Sequence, residues 1–530
     1  MPQGLGDRQV VLVCIALTVL LRIPFLTTPL GIDEGGYAYV AANWGIGDGG
    51  LYGAQWVDRP PLLIALYAVA IAIAGDVGVR LLGSVAAVLL VAASMGVARQ
   101  LAGSDAMRWT GIATVTLTSS TLLQAYTVNA ELPAAALVAA SVWLTLRAML
   151  ATGRGSAWAW STGAGAVAAS AVLVKQSFVD GFVFAVATLL AAIVLGRRDA
   201  WRVLAGGLVG AGFIGAIVAA WAQLVGPGIG PLLDALYGFR LDARATIAAA
   251  ASAAPRERAW MLAALAILSG MLALFGYAWV GVARIASGRQ RVRSVLDPVV
   301  VRACAVGLCA MGVWGVFAIG QGGNWWRHYL IQLVPMLAVS IGLIVGGVRS
   351  RGASRVARGS VRSAQLVAAV TFAAWLSTAL FASTVGLSRE PATAGDWLRA
   401  ASSPGDTAFV AWGHPNVLRR SGMTSPYSLS WSLPIRVRDP QLDELRRIVR
   451  GPEAPTWIVE WRSFDGWQLD TDERFRNLVR MRYERVSSVC GRPVYRLRSA
   501  PASTRSIPPR PSAAACGSNA TLERFNLPTW

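Results

Sequence analysis

Acidic and basic side chains follow the first apolar segment of the chain. Asp33 and Glu34 are adjacent, and Asp58 and Arg59 precede two prolines. A carboxylate can act as a general base toward a hydroxyl within hydrogen-bond reach, and an arginine can bind a phosphate through two parallel hydrogen bonds. Asp33 could also cap the helix that follows, and Arg59 could extend to the membrane surface. Each residue therefore has a structural interpretation beside the chemical one.

Three later turns between apolar segments carry further polar groups. They hold Glu131 in the first turn, Lys175 and Gln176 in the second, and Arg327, His328 and Tyr329 in the third. A carboxylate at a helix start is favourable for the helix dipole alone, and aromatic residues belong at membrane interfaces anyway. Together, however, the turns supply acids and cations, the groups needed to activate a hydroxyl and to stabilise a leaving phosphate.

Long apolar segments must position these turns. The chain of 530 residues is 55% hydrophobic and 14% charged, with a mean hydropathy of +0.51. Soluble domains average about 25% charged residues, so this composition excludes a soluble protein with a single core. Eleven membrane-spanning helices are predicted, near residues 9–26, 79–98, 109–128, 132–150, 158–174, 178–196, 203–222, 259–281, 299–319, 329–347 and 364–386. The apolar run 61–74 is too short for a span and begins with two prolines, which favours an interfacial or re-entrant helix in a first outer loop of residues 27–78.

The arginines are concentrated in alternate loops of this arrangement. Clusters from Arg99 and Arg108 to Arg358 and Arg362 contain few acids, which by the positive-inside rule places these loops and the N-terminus in the cytoplasm. The net charge of +20 is then largely a topology signal of a multi-pass plasma-membrane protein, and no nucleic-acid partner is predicted. Lys175, the only lysine in the sequence, lies at an outer turn against this bias. We therefore expect it to have an anionic partner, either a lipid headgroup or a specific phosphate.

The composition changes near residue 387, where charges become dense and short β-rich runs begin. Residues 387–500 are predicted to form a small α/β domain outside the cytoplasm, and residues 501–530 a poorly ordered tail rich in Pro, Ser and Ala. The indole rings of the predicted domain could stack on sugars or fill its core. They belong to Trp397, Trp412, Trp431, Trp457, Trp461 and Trp467. Cys490 and Cys516 could form a disulfide in this compartment. The five cysteines and two histidines show no zinc-ligand spacing.

The order and spacing of the acidic and basic groups resemble those of the GT-C class of integral membrane glycosyltransferases, which includes aminoarabinose transferases of lipid A and protein O-mannosyltransferases. The resemblance covers about residues 9–386. It implies a GT-C transmembrane catalytic domain in residues 1–386, with about 11 helices, and a polyprenyl-phosphate-linked sugar donor. It also implies an inverting transfer to a hydroxyl of an envelope glycan, lipid or protein, with the lipid bilayer as a further partner.

The resemblance also assigns roles to individual residues. Asp33 would be the general base or a carboxylate that orients the acceptor, and Glu34 would support it or help to bind a metal. A divalent metal is a possible cofactor, because the class differs in metal dependence. Arg59, Lys175, Arg327 and His328 would bind the donor phosphate, although related enzymes often carry Lys or His at the position of Arg59. The other substrate-binding residues would be Tyr37, Asp58, Glu131, Gln176 and Tyr329.

A transporter or flippase for lipid-linked sugars is the alternative function. Such a protein would also need cations that bind a phosphate, but transporters tend to have internal repeats and ionisable groups near the membrane midplane. The charged groups here lie at helix ends, and no repeat is visible in the sequence. A scaffold or receptor would leave the acids of the first loop and the basic turns unexplained. The sequence therefore favours the enzyme, without indicating which sugar or acceptor it uses.

Overall fold

The structure, a computed structural model, describes residues 6–45, 50–249, 253–321, 323–347, 355–382, 389–501 and 505–517. Several predictions concern residues outside these ranges: the domain boundary at residue 386, the loop arginines Arg349 and Arg351, and the end of the tail. The described chain forms a large helical part followed by a small domain with one sheet.

Within the described residues, the helical part contains fourteen α-helices. They are α1 (Asp7–Leu20), α2 (Ile32–Ala42), α3 (Pro61–Thr118), α4 (Glu131–Leu150), α5 (Arg154–Val174), α6 (Asp180–Val194), α7 (Ala200–Leu224), α8 (Ile229–Leu233), α9 (Phe239–Ala249), α10 (Ala253–Leu268), α11 (Met271–Ala286), α12 (Pro298–Gln321), α13 (Val334–Val345) and α14 (Arg355–Ala382). Short 3₁₀ helices at Ile23–Phe25 and Arg327–Leu333 precede α2 and α13, respectively. The two most apolar of the longer helices, α6 and α13, sit among the others with much of their surface buried.

Helix α3 is broken at two places. Its 58 residues would measure about 87 Å as one straight helix, nearly three times the roughly 30 Å of a bilayer core. The backbone leaves the helical region at Ala74 and Gly75, and again at Gly103, and both glycines have positive φ (57° and 81°). Glycine adopts such values without steric cost. The first break ends a short apolar helix at the residue where the sequence predicts the interfacial helix to end.

Fewer helices than the predicted eleven pass as complete spans. Among the described residues, eight helices are long and apolar enough to cross a membrane, or nine if a bent pair counts as one span. The difference arises partly because α3 counts once despite its breaks, and partly because α6, at 15 residues, is shorter than a full span. The span predicted at residues 259–281 is bent, because α10 and α11 meet there at 70°. Gly270, with a φ of 78°, lies at this bend.

The small domain is α/β. It contains the helices α15 (Arg389–Ala401), α16 (Pro415–Ser421), α17 (Ser432–Arg438), α18 (Asp443–Arg450) and α19 (Arg474–Arg482). Its strands are β1 (Ala408–Ala411), β2 (Trp457–Glu460), β3 (Tyr483–Val489) and β4 (Arg492–Leu497), in the order β1-β2-β4-β3. The strands β1 and β2 are parallel, whereas β4 pairs antiparallel with both β2 and β3. Four of the six tryptophans considered above, Trp397, Trp412, Trp457 and Trp461, are buried in its core.

The described part of the predicted tail packs on α15 and does not extend freely. The indole of Trp397 donates a hydrogen bond to the carbonyl of Pro508 (3.2 Å), and the hydroxyl of Thr393 donates to the carbonyl of Ala515 (2.7 Å). A disulfide joins Cys490, which follows β3, to Cys516. Residues 505–517 are therefore held on the domain surface by side-chain hydrogen bonds and one covalent link.

The small domain docks on α2 through two glycines. A Cβ at Gly35 would overlap Asn416, and a Cβ at Gly36 would overlap Trp431, so only glycine allows this approach. The hydroxyl of Tyr39 accepts a hydrogen bond from the backbone N–H of Ser425 (2.9 Å), which strengthens the same contact. The close packing places the small domain directly over the first turns of α2.

We expect Gly35→Ala and Gly36→Ala to loosen this docking. Alanine favours an isolated helix by about 1 kcal/mol over glycine, but the steric overlap outweighs that gain. Both variants should therefore unfold at lower temperature and be cleaved faster by protease in the small domain. Gly212→Ala in α7 is the matched control, because no atom lies within 4 Å of its Cβ position. Unchanged protease resistance of both α2 variants would contradict the docking argument.

Candidate active site

Asp33 lies in the first turn of α2 beneath the small domain. Its side chain is half-buried, and its Oδ1 accepts a hydrogen bond from the indole N–H of Trp431 at 3.2 Å. The ring of Trp431 also packs against Tyr37, with ring centroids 6.0 Å apart. The small domain therefore supplies one wall of the space around this carboxylate.

Arg59 is connected to Asp33 through Tyr37 and Trp431. The guanidinium Nε of Arg59 donates a hydrogen bond to the Tyr37 hydroxyl (2.8 Å), and its Nη1 forms an ion pair with Asp58 (2.8 Å). Asp58 is bound on its other oxygen by Arg240 of α9, at 2.7 Å. Within the described residues, Nη2 of Arg59 has no hydrogen-bond partner. One N–H edge of this arginine is thus available to a further acceptor.

The pKa values of this group reflect close charges. Burial alone would lower the pKa of Arg59, but Asp58, Tyr37 and Asp33 raise it well above its ordinary value. Burial would raise the pKa of Asp58, yet Arg240 and Arg59 hold it below the usual range. Arg59 and Asp58 are therefore both charged at neutral pH.

A second group of charges adjoins the first. Lys175, directly after α5, forms an ion pair with Glu131, the first residue of α4. Nε2 of His328 lies 3.6 Å from the same carboxylate oxygen, and the Lys175 ammonium lies 4.3 Å from the ring centroid of Tyr329. Burial lowers the pKa of Lys175, and Glu131 opposes that effect. Arg59 lies close enough to repel Lys175, so the two groups form one site.

Gln176 connects the group around Lys175 to the group around Arg59. Its amide nitrogen donates hydrogen bonds to the carbonyl oxygens of Asp58 (3.1 Å) and Leu236 (3.4 Å). Nine of the eleven predicted site residues thus lie together: Asp33, Tyr37, Asp58, Arg59, Glu131, Lys175, Gln176, His328 and Tyr329.

Glu34 lies apart from this site despite being adjacent to Asp33. It is 1% exposed and forms an ion pair with Arg80, which is itself 3% exposed. The carboxylate also accepts hydrogen bonds from the backbone N–H groups of Val128 (2.7 Å) and Gly31 (3.0 Å). These contacts connect α2 to α3 and to the loop before α4. They occupy both carboxylate oxygens and favour a structural function for Glu34.

Arg327 lies at the edge of the site with an exposed side chain. Burial raises the pKa of Tyr126, and the charge of Arg327 is one of those that oppose this effect. Arg327 forms no ion pair with any of the described residues. Arg327 is therefore accessible to a ligand but is not in contact with the Lys175 group.

Four further residues, which the sequence did not indicate as part of a site, complete the arrangement. Arg240 binds Asp58, Trp431 binds Asp33, Arg80 binds Glu34, and Gln124 contacts Nδ1 of His328 at 3.0 Å. Arg80 could have been recognised from the sequence, because a charge inside an apolar segment costs free energy and therefore requires a partner. Arg240 and Trp431 lie in segments without a distinctive local pattern.

The described residues contain no group of three His, Cys, Asp or Glu side chains placed to hold a metal. The carboxylates of the site are instead bound by arginine, lysine and indole groups, which leaves the proposed metal-binding role of Glu34 without support from its surroundings.

Comparison with solved structures identifies the fold. The chain is similar to ArnT from Cupriavidus metallidurans bound to undecaprenyl phosphate, with 16% identity and a TM-score of 0.60 over 92% of this chain and 97% of that chain. The apo state of the same protein gives 13% identity and a TM-score of 0.56. The Archaeoglobus fulgidus oligosaccharyltransferase, tethered with an acceptor peptide, gives 12% identity and a TM-score of 0.52 over 91% of this chain and 72% of that chain.

Both neighbours are GT-C glycosyltransferases, so the chain has the GT-C fold across most of its length. This finding confirms the fold class predicted from the sequence, a polytopic helical membrane protein with a small C-terminal α/β domain. No protein-family model matches the chain, and no curated protein sequence matches it significantly.

The contrast between Asp33 and Glu34 generates a stability prediction. Glu34→Gln leaves Arg80 buried without its counter-charge, which costs about 3–5 kcal/mol, whereas Asp33→Asn removes a half-buried group bound by one indole. We expect a marked fall in the thermal unfolding midpoint of the purified Glu34→Gln protein and little change for Asp33→Asn. Equal midpoints for the two variants would show that the buried ion pair does not stabilise α2.

Proposed function

We propose that this protein is a glycosyltransferase that moves a sugar from a polyprenyl-phosphate donor to a hydroxyl of a cell-envelope acceptor. One observation carries the proposal: a half-buried carboxylate, Asp33, lies near the cation Arg59, which in turn adjoins Lys175, at the ends of membrane helices. The fold shared with ArnT and the oligosaccharyltransferase supports it, because both of those proteins are transferases and one of them was solved with undecaprenyl phosphate.

In the proposed reaction, Asp33 is the general base. It takes the proton from the acceptor hydroxyl while the hydroxyl oxygen attacks the anomeric carbon of the donor. The bond between that carbon and the phosphate oxygen breaks on the opposite face, so the configuration is inverted. The polyprenyl phosphate leaves with the electron pair of the broken bond and gains negative charge.

The cations of the site would stabilise that charge. Arg59 offers Nη2, and Lys175 retains two N–H donors beyond its ion pair with Glu131. His328 adjoins the same carboxylate, and Arg327 is exposed at the rim, where it could reach a phosphate held by the other three. Preorganised donors of this kind contribute most when they face the charge that develops in the transition state.

The remaining polar groups would position the donor and its ligands. Glu131 holds Lys175 and could accept hydrogen bonds from sugar hydroxyls, Asp58 holds Arg59, and Gln176 links the two pairs. Tyr37 and Tyr329 offer ring faces and hydroxyls to the sugar. We do not require a metal for this mechanism, because lysine and arginine already supply positive charge at the phosphate.

The transporter alternative gains one supporting observation, the bent pair α10 and α11. Broken helices bind substrate in many transporters. However, the clustered charges of this chain lie at helix ends and in the loops between helices, next to α2 and the small domain. That position suits chemistry at the membrane surface, so we retain the transferase as the proposed function.

A deletion strain tests the proposal in the intact envelope. The lipid-linked sugar that accumulates without the gene identifies the donor, and mass spectrometry of envelope glycans identifies the lost product. We expect the wild-type gene and Asp199→Asn to restore the product, since Asp199 is 61% exposed and remote from the site. Asp33→Asn should reduce transfer by at least about 100-fold, the usual contribution of a general base.

Initial rates of transfer, measured with membranes that contain each variant, separate the base from the phosphate ligands. Lys175→Gln should raise the KM for the lipid-linked donor and also lower kcat, because Lys175 would bind the phosphate in the bound donor and as it leaves. An Asp33→Asn protein that expresses normally and transfers sugar at the wild-type rate would refute the assignment of the base.

We also propose that the N-terminus is cytoplasmic and that the small domain lies outside, as the distribution of arginine predicts. The disulfide between Cys490 and Cys516 suits an oxidising compartment. Peptide mapping of membranes without reductant should recover the two cysteines as a linked pair, and a thiol reagent that does not cross membranes should label them only after reduction. Free thiols at both positions in intact cells would contradict this orientation.

A further inference from the structure

Basic and aromatic side chains gather where the parallel strands β1 and β2 end. We call this group the basic–aromatic cluster, and its members are His414, Arg436, Trp461, Arg462, Trp467 and Arg492. His414 follows β1 and Trp461 follows β2, so both extend from the carboxyl edge of the parallel pair. Such edges form crevices in which α/β proteins commonly bind ligands.

The rings and guanidinium groups of the cluster are in contact. Arg436 and Arg462 lie over Trp467, at 5.6 and 5.1 Å from its ring centroid. Arg492 lies over Trp461 at 5.3 Å, and the His414 ring is 4.5 Å from that of Trp461. Trp467 is 38% exposed, in contrast to the buried tryptophans of the domain core. The cluster is therefore open to solvent on one side.

The positive charge of the cluster is poorly compensated. Arg436 and Arg462 form no ion pair with any described residue, whereas Arg492 has a single, long contact with Glu390 (3.6 Å). Two nearby acids are occupied elsewhere: Asp465 is bound by Arg476 (2.8 Å), and Glu460 accepts a hydrogen bond from Tyr495 (2.7 Å).

His414 lies among these cations as a neutral ring. Burial, together with Arg462 and Arg492, lowers the pKa of His414 to about 3. Its Nδ1 is buried and has no hydrogen-bond partner in the described structure. Like charges held together without counter-ions destabilise a fold, and an anionic ligand would relieve that repulsion while forming charge-assisted hydrogen bonds.

The cluster is connected to the proposed catalytic base by one short helix. Trp431, which donates its hydrogen bond to Asp33, immediately precedes α17, and Arg436 lies on that helix. Five residues of helix advance by about 7–8 Å. On the other side, Pro415 follows His414 and lies against Gly36 of α2. A molecule bound at the cluster would thus extend naturally toward Asp33.

We propose that the basic–aromatic cluster binds a phosphate or carboxylate group of the sugar acceptor. The assignment of this anion to the acceptor rests on the proposed function, whereas the anion site itself does not. Arginines at the cluster would hold the acidic group, and Trp467 would contact the saccharide next to it. The acceptor would therefore be an anionic saccharide or glycolipid whose reactive hydroxyl reaches Asp33.

Ligand-observed saturation-transfer NMR on the full-length protein in nanodiscs tests the site. The probes are glucose 6-phosphate and glucuronic acid, with glucose as the neutral match. We expect the wild type to bind at least one anionic sugar, with an affinity that falls as salt is added, and to bind glucose at least about tenfold more weakly. Arg436→Gln and Arg462→Gln should each weaken the binding of the anionic sugar by about tenfold. Arg474→Gln is the control, because that arginine is 69% exposed and paired with Asp472.

Two further variants separate this site from the proposed active site. Asp33→Asn should leave anion binding intact even though transfer is lost, so failure of the transferase proposal would not affect the result. Lys175→Gln reports binding at the donor site. If Lys175→Gln removes the anion signal while both cluster variants retain it, the anion occupies the donor site and the proposal is overturned. Absence of binding of either anionic sugar to the folded wild type would overturn it as well.

Discussion

The buried ion pair between Glu34 and Arg80 determines where the candidate site forms. It joins the start of α2 to the membrane helix α3, while the hydrogen bond from Val128 adds the loop that leads to Glu131. An isolated charge at this depth would cost several kcal/mol, so the two side chains must remain together. Because Asp33 is the neighbour of Glu34, this interaction fixes the position of the proposed base. Glu34 holds the scaffold, and the preceding residue, Asp33, is left to react.

The rest of the site follows the same physical requirement that charges near the membrane be paired. Asp58 lies between Arg59 and Arg240, and Glu131 contacts Lys175 and His328. Asp33 has only an indole donor among the described residues, so its charge is the least compensated of the site's carboxylates. The small domain supplies that donor, and the glycines of α2 permit its approach. The domain is therefore part of the site and not merely attached to it.

Much of this arrangement could be predicted from the sequence, because the polar turns stand out against apolar helices. The hypothesis that Asp58, Glu131, Lys175 and His328 act together needed only the rule that alternate turns share one side of the membrane. Their detailed pairing could not be predicted, since Arg240 and Trp431 reach the site through tertiary packing. The different surroundings of Asp33 and Glu34 also could not be predicted, because the side chains of adjacent helical residues point in directions about 100° apart. The break in the span at residues 259–281 depends on the conformation of Gly270, which hydropathy does not report.

The position of a bound polyprenyl phosphate tests the central claim most directly. A cryo-electron microscopy structure of this protein in nanodiscs with undecaprenyl phosphate would locate the phosphate group relative to Asp33. The account predicts that the phosphate contacts Arg59 and Lys175, on the side of the site where Asp33 remains open to an acceptor hydroxyl. A phosphate bound away from both cations, for example against the loop arginines at the opposite ends of the helices, would contradict it.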